Sequence, residues 1–328
     1  MRPFYPIFGN PHILTIAGNY WRRNLDTLRF PVSARYFQTE PDVQVLVHSQ
    51  EPEGRSRGDL ILVHGLEGSS SAGYAQSAAQ AALLDGFSVH RFNMRSCGGT
   101  ETVSGRTLYH SGQTGDLLSV IRQMLREGRG PIFLTGYSLG GNVVLKLAGE
   151  LQDAGRELVS AICAVSTPID LAACVEQLNK RSNIIYARRF LARLKERVRR
   201  KEELCPGSFN LDALPSVNSV YDFDNQFTAV SFGFGTADCY YATQSAQNFL
   251  NSIRIPTLVV QAKDDPLIPF RVYGHSAFQS NPCLKLVAVE HGGHLGFLAR
   301  SQPRFWLDEL MVEWLSEIRN TKAVRFVS

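Results

Sequence analysis

Residues 136–141 read GYSLGG. PIFLT (131–135) before them is apolar and β-prone, and NVVLKLAGEL (142–151) after them carries apolar residues at helical spacing. The stretch reads as strand, sharp turn, helix. Glycine two residues before and two residues after Ser138 removes side chains that would collide with neighbouring backbone in so tight a bend. The bend holds Ser138 in a strained conformation and lifts its hydroxyl above the sheet edge. The helix that starts behind it directs free amides and the positive end of its dipole at the same point. G-x-S-x-G alone is a common pattern. Between a strand and a helix it is the setting a nucleophilic serine requires.

The neighbouring runs extend this pattern. DLILVHG (59–65), FSVHRFNM (87–94), PIFLTGY (131–137), LVSAICAVS (158–166), PTLVVQA (256–262) and LKLVAVE (284–290) are short, rich in Val, Ile and Leu, and alternate little. Strands covered on both faces read in this way, which points to a parallel sheet. AGYAQSAAQAALLDG (72–86) and TGDLLSVIRQMLREG (114–128) lie between them, and FWLDELMVEWLSEIR (305–319) closes the chain as a helix. Alternating strand and helix predicts an α/β fold, a single domain over 1–328. Its mostly parallel central sheet would be flanked by helices and joined by right-handed crossovers. From about 171 to 240 no strand is legible. NIIYARRFLARLKERVRRKEEL (183–204) reads as a basic amphipathic helix, and PGSFNLDALPSVNSVYDFDNQFT (206–228) as a loop. An insertion at this place is expected to form a cap over the site.

A nucleophilic serine needs a base and a group to orient that base. On a sheet of this kind they follow in the order serine, acid, histidine. AKDDPLIPF (262–270) places two carboxylates just after a strand, and Asp265, directly before PLIP, is preferred over Asp264 as the orienter. EHGGHLGFL (290–298) follows the last strand, and His294 is preferred over His291 as the base. The loop HGLEGSSSAGY (64–74) is expected to bring the Leu66 amide beside that of Leu139 as an oxyanion hole. One such donor contributes about 3–4 kcal/mol to transition-state stabilisation. Tyr137 and His110 are candidates for the pocket lining, although a hydrogen-bonded loop residue is an equally good reading of His110. His12 and His64 read as structural.

The remaining composition excludes several classes. With 34 Lys and Arg against 30 Asp and Glu the net charge is +4, too small for the chain's size to argue for nucleic acid. No carboxylate or histidine spacing resembles a metal site, and no GK[ST] follows the GRG at 128–130, so neither a metal site nor a phosphate loop is expected. The six cysteines form no CxxC pair and several lie in apolar runs, which points to reduced thiols and a cytoplasmic location. The start reads as neither signal peptide nor span. Ten Lys and Arg lie between Lys180 and Lys201. They are read either as a solvated face over a buried apolar stripe or as a surface for an anionic membrane or acidic substrates. The oligomeric state is not legible.

At this point the chain resembles the α/β-hydrolase superfamily, and within it the YheT-like group of serine hydrolases. NPHILT (10–15), VHGLEGSS (63–70), FNMRSCGGT (92–100), LYHSGQTGD (108–116), GYSLGGN (136–142), YDFDNQFTA (221–229), GFGTADCYY (233–241), AKDDPLIP (262–269) and HGGHLGF (291–297) carry the likeness. The resemblance implies Ser138 as nucleophile, Asp265 as orienting carboxylate, His294 as base, a carboxylesterase activity and no cofactor. Two stretches depart from the family: its R-G-C-x-G reads RSCGG, and its acidic D-D-Y-Y reads DCYY with Cys239 in place of an acid. Relatives include membrane-linked enzymes that act on phospholipids or transfer acyl groups. A lipid-active phospholipase or acyltransferase, a thioesterase, and a hydrolase-like binding module with an inactive site therefore stand as alternatives.

Overall fold

The computed structural model describes residues 3–325. Eight strands form one sheet in the order β1-β2-β4-β3-β5-β6-β7-β8. They are β1 (Ser33–Glu40), β2 (Val43–Gln50), β3 (Asp59–Val63), β4 (Ser88–Asn93), β5 (Ile132–Tyr137), β6 (Ala161–Val165), β7 (Thr257–Ala262) and β8 (Leu284–Val289). From β4 across to β8 every pairing is parallel; β2 pairs antiparallel with both β1 and β4. The fold is α/β, as the apolar runs predict. The β1–β2 hairpin is an addition to that expectation.

Helices of eight residues or more cover both faces. They are α1 (Pro11–Tyr20), α2 (Gly73–Leu84), α3 (Gly115–Arg126), α4 (Leu139–Leu151), α5 (Leu171–Leu178), α6 (Ile184–Leu204), α7 (Ala237–Gln244) and α8 (Trp306–Arg325). Successive residues of the central strands feed opposite layers. Leu60 and Leu62 pack with Ala78, Ala82, Met311 and Leu315 of α2 and α8. Ile61 and Val63 pack with Leu117, Ile121, Val144 and Leu147 of α3 and α4. Full burial of such a side chain contributes about 1.5–3 kcal/mol, and Asp59, a polar side chain buried in β3, is paired with His90 of β4 at 2.9 Å.

Between β6 and β7 the described residues carry no strand. The interruption is longer than the 171–240 expected, because 166–170 and 241–256 belong to it. Its last part returns to the sheet layer, where Ala246 donates its amide to Asn142 of α4 at 2.8 Å. The stretch 206–228 is not a loop. It contains a 3-10 turn at Leu211–Ser216, a short helix at Val220–Phe223 and a π turn at Asp224–Thr228. Ser219 and Asp222 form a reciprocal capping box that starts this segment. Burial of Phe223 and Phe227 holds it against the rest.

Candidate active site

β5 ends at Tyr137 and α4 begins at Leu139, which leaves Ser138 alone at the bend with φ 53° and ψ −122°. A non-glycine residue held there costs about 1–3 kcal/mol. The surroundings enforce it. The Ser138 amide donates to the Val165 carbonyl at 2.8 Å. A Cβ on Gly136 would stand 2.3 Å from the Gly140 carbonyl oxygen, and one on Gly140 would stand 2.4 Å from that of Val63. Strand, serine and helix are thus wedged together at the C-terminal end of the parallel strands.

Two further strand ends supply partners. Asp265 follows β7, and its side chain is wholly buried. One carboxylate oxygen accepts the amides of Leu267 at 2.9 Å and Ile268 at 3.1 Å. The other accepts Gln261 Nε2 at 3.2 Å and faces His294 Nδ1 at 2.9 Å. His294 follows β8, and its Nε2 lies 3.0 Å from Ser138 Oγ. With the buried carboxylate fixing the proton on Nδ1, Nε2 is left to accept from the serine hydroxyl. Asp264 turns the other way, to His291 Nδ1 at 3.1 Å and the Gly293 amide at 3.0 Å on the surface. The structure therefore brings Ser138, His294 and Asp265 into one hydrogen-bonded line, and it leaves Asp264 and His291 outside it.

The loop after β3 lies against the serine because Gly65 is bare: a Cβ there would sit 3.0 Å from Ser138 Cβ. His64 shapes that loop. Its Nδ1 donates to the Gly65 carbonyl at 2.8 Å, and its Nε2 accepts the Met94 amide at 3.2 Å. Burial pushes its pKa down to about 4, which keeps the ring neutral for both bonds. Leu66 comes next. Leu139 is the first residue of α4, so its amide has no acceptor within the helix. Glu67 then takes φ 55° and is fastened from two sides. Its amide donates to Tyr109 Oη at 2.8 Å, and that hydroxyl donates back to Glu67 Oε1 at 2.9 Å. From α6, Arg197 spans both carboxylate oxygens at 2.8 and 2.9 Å. Sequence reading missed Glu67, Tyr109 and Arg197. It also missed Thr15 of α1, whose hydroxyl accepts the His294 amide at 2.8 Å.

Two cavities meet at the serine, and Ser138, His294, Leu66, Phe190 and Leu267 line both. The first, about 120 Å³, runs under the insertion and is mostly apolar, with Leu171, Val175, Leu178 and Leu194 on its walls. His110 lines it too, held among Phe232, Phe234 and Tyr240 and accepting the Gly112 amide at 3.1 Å. Burial pushes His110 down to about 3, so it stays neutral. The second cavity, about 410 Å³, is more polar and opens between α1 and α6 beside the loop 65–74. Tyr137 reaches neither cavity, which corrects its place among the pocket candidates. Its ring is buried on the far side of the sheet, tilted against Tyr74, with its hydroxyl on Met311. The turn at Ser138 is what sends these adjacent side chains to opposite sides.

Of the two departures, Arg95 in RSCGG is buried and paired with Asp116 of α3 and Glu40 of β1, while Cys97 is a buried thiol pushed up to about 12. Cys239 is exposed on α7. None of these residues lines either cavity. Among the described residues no cluster of three metal-binding side chains occurs.

Comparison with known proteins places this geometry. The model of the α/β hydrolase fold matches residues 60–301. The chain belongs to the α/β-hydrolase family. It is 34% identical over 96% of its length to a protein of Escherichia coli (strain K12) named "Putative esterase YheT", 93% of which is covered. It is 29% identical over 77% of its length to a mouse phospholipase, ABHD3, of which the match spans 61%. Among solved structures, the Pyrococcus furiosus esterase Pf2001 superposes with a TM-score of 0.60 at 17% identity, over 97% of this chain and 99% of the other. As a member of the YheT-like group, this α/β hydrolase shares the fold of proteins with varied substrates.

Proposed function

We propose that the protein hydrolyses carboxylic esters through an acyl-serine intermediate. The observation that carries this reading is the line from Ser138 Oγ to His294 Nε2 at 3.0 Å and from His294 Nδ1 to buried Asp265 at 2.9 Å. His294 takes the hydroxyl proton as Ser138 Oγ bonds to the ester carbonyl carbon. The carbonyl oxygen becomes an oxyanion facing the Leu66 and Leu139 amides. His294 then gives its proton to the departing alcohol as the carbon–oxygen bond breaks. A water attacks the acyl-serine, again with His294 as base; the bond from the acyl carbon to Oγ breaks, His294 returns the proton to Ser138, and the acid leaves. Asp265 holds the imidazole in the right tautomer and stabilises the imidazolium. The insertion acts as a cap. Its apolar cavity takes the acyl chain, and the larger polar cavity takes the alcohol.

Hydrolysis of p-nitrophenyl esters from acetate to palmitate tests this reading. Ser138→Ala is expected to lower turnover by about three orders of magnitude or more with the fold intact, and to abolish fluorophosphonate labelling. Near-normal turnover in that variant sinks the catalytic reading. Failure of the wild type to label makes the chain a hydrolase-like binding module. Faster cleavage of thioesters than of matched oxygen esters makes it a thioesterase. A lipid substrate is the second reading, supported by the phospholipase among the relatives and by the apolar cavity, and it predicts a preference for long chains.

A further inference from the structure

The opening of the larger cavity has an unusual rim. Ile13, Ile16 and Tyr20 lie along one side of α1 at spacings of three and four. On α6, Ile185, Arg189 and Arg193 lie at successive spacings of four. The helices meet where His12 stacks on Tyr186, and where Arg189 donates to Tyr20 Oη at 2.8 Å. Ile16 and Tyr20 on one side, and Arg189 and Arg193 on the other, line the cavity that ends at Ser138.

Ile13, Ile16, Tyr20, Ile184 and Ile185 are between 45% and 73% exposed. They are five of the twelve large apolar side chains exposed among the described residues, gathered on α1 and the first turn of α6, and two of them, Ile16 and Tyr20, line the cavity itself. The two chain segments that form this face carry charge of one sign. Residues 1–25 and 177–195 contain no Asp or Glu, whereas Lys180, Arg181, Arg188, Arg189, Arg193 and Lys195 fall in the second span. The basic residues at the other end of α6 are engaged: Arg197 with Glu67, Arg199 with Glu196, Arg200 with Glu203, and Lys201 with the Glu101 carbonyl and Ser104. Among the described residues, no carboxylate pairs with Lys180, Arg181, Arg188, Arg189 or Arg193.

We propose that this face, formed by α1 and the first half of α6, docks onto an anionic lipid surface with the cavity mouth against it. Apolar side chains enter the boundary between headgroups and acyl chains while the flanking cations meet phosphates. The surface is narrower than the whole basic helix, because the cations of the second half are paired, Arg197 and Lys201 inside the protein and Arg199 and Arg200 with glutamates of the same helix. The exposed isoleucines favour lipid over an acidic protein, which charge alone would not separate. Docking does not depend on the hydrolase chemistry, so Ser138→Ala docks as the wild type does.

The test is co-sedimentation with vesicles of phosphatidylcholine alone and of phosphatidylcholine mixed equally with phosphatidylglycerol. The wild type and Ser138→Ala are expected to bind the mixed vesicles at least about tenfold more tightly than the neutral ones. Ile13→Glu with Ile185→Glu is expected to lower that affinity by about tenfold or more, and Leu28→Glu, an exposed apolar residue elsewhere, to leave it unchanged. Unchanged cleavage of p-nitrophenyl acetate shows that the double variant is folded. The proposal is overturned if the wild type stays in solution with mixed vesicles. It is also overturned if it binds both vesicle types alike, or if Leu28→Glu loses as much as the isoleucine pair. Self-association that the isoleucine pair abolishes, without vesicle binding, assigns the face to a second copy and overturns it too. Loss of esterase activity in Ser138→Ala alongside normal vesicle binding separates this outcome from the fate of the hydrolase reading.

Discussion

Asp264 and Asp265 are neighbours with the same side chain, and the backbone separates their work. Asp265 turns inward, where two amides and Gln261 saturate the oxygen positions that His294 does not use. Asp264 turns outward to half-exposed His291. An amide at 265 would present a donor to a ring nitrogen that must itself donate, which forces the wrong tautomer. Asp265→Asn is therefore expected to lower kcat on a p-nitrophenyl ester by about a thousandfold or more, and Asp264→Asn by less than about tenfold. The reverse order would move the orienting role to Asp264. His294 and Asp265 were legible in the sequence because each follows a strand whose apolar run marks its end. Glu67 and Arg197 were not. They lie 130 residues apart, and only the placement of α6 over the loop brings them together.

At the scale of elements, that ion pair ties the cap helix to the residue following Leu66. Glu67 is 4% exposed at its side chain and Arg197 14%, so neither charge is compensated by water. Removal of one partner from such a pair costs about 3–5 kcal/mol, whereas neutral replacement of both costs less. Arg197→Gln and Glu67→Gln are each expected to lower the urea midpoint more than the two substitutions combined. All three variants should lose kcat with little change in KM, because the loop positions a donor that matters in the transition state. Strictly additive midpoints, or a change confined to KM, would make the pair an ordinary surface contact. The elements themselves differ in how far sequence reveals them. β3, β5, β6 and β7 are mostly apolar runs because they are buried along their whole length, with helices on both faces. β1 reads SARYFQTE and is largely exposed at the sheet edge, so it lacks that signal. The 206–228 segment carries Pro215, Gly207 and many Asn and Asp, which imitate a loop, while its helical turns depend on a capping box and on aromatic burial.

For the whole molecule, four buried titratable groups act against one another in mildly acidic solution. His64 and His110 are pushed down to about 4 and about 3, so the unfolded chain holds more protons than the folded one just below pH 6.5, and their stability is lost as pH falls. Asp224 and Asp308 are pushed up to about 6 by burial, so the folded chain holds more protons between about pH 4 and 6, and their stability is lost as pH rises. Asp224 lines the same apolar cavity as His110, held by Tyr241 and Thr228 at 2.7 Å each. A rise from 3.8 to about 6 in a fully buried carboxyl corresponds to about 3 kcal/mol of stability surrendered on ionisation. Asp224→Asn removes that loss and keeps a side-chain oxygen for the hydroxyls. Its stability relative to the wild type, read from urea unfolding, is therefore expected to improve by about 2 kcal/mol between pH 4 and pH 7, whatever its sign at pH 4. The comparison isolates Asp224 from the histidines, which contribute equally to both proteins. A difference that stays constant over this range would mean that Asp224 ionises as freely as an exposed carboxylate. The cavity floor would then carry its charge already at pH 5, poorly suited to an acyl chain.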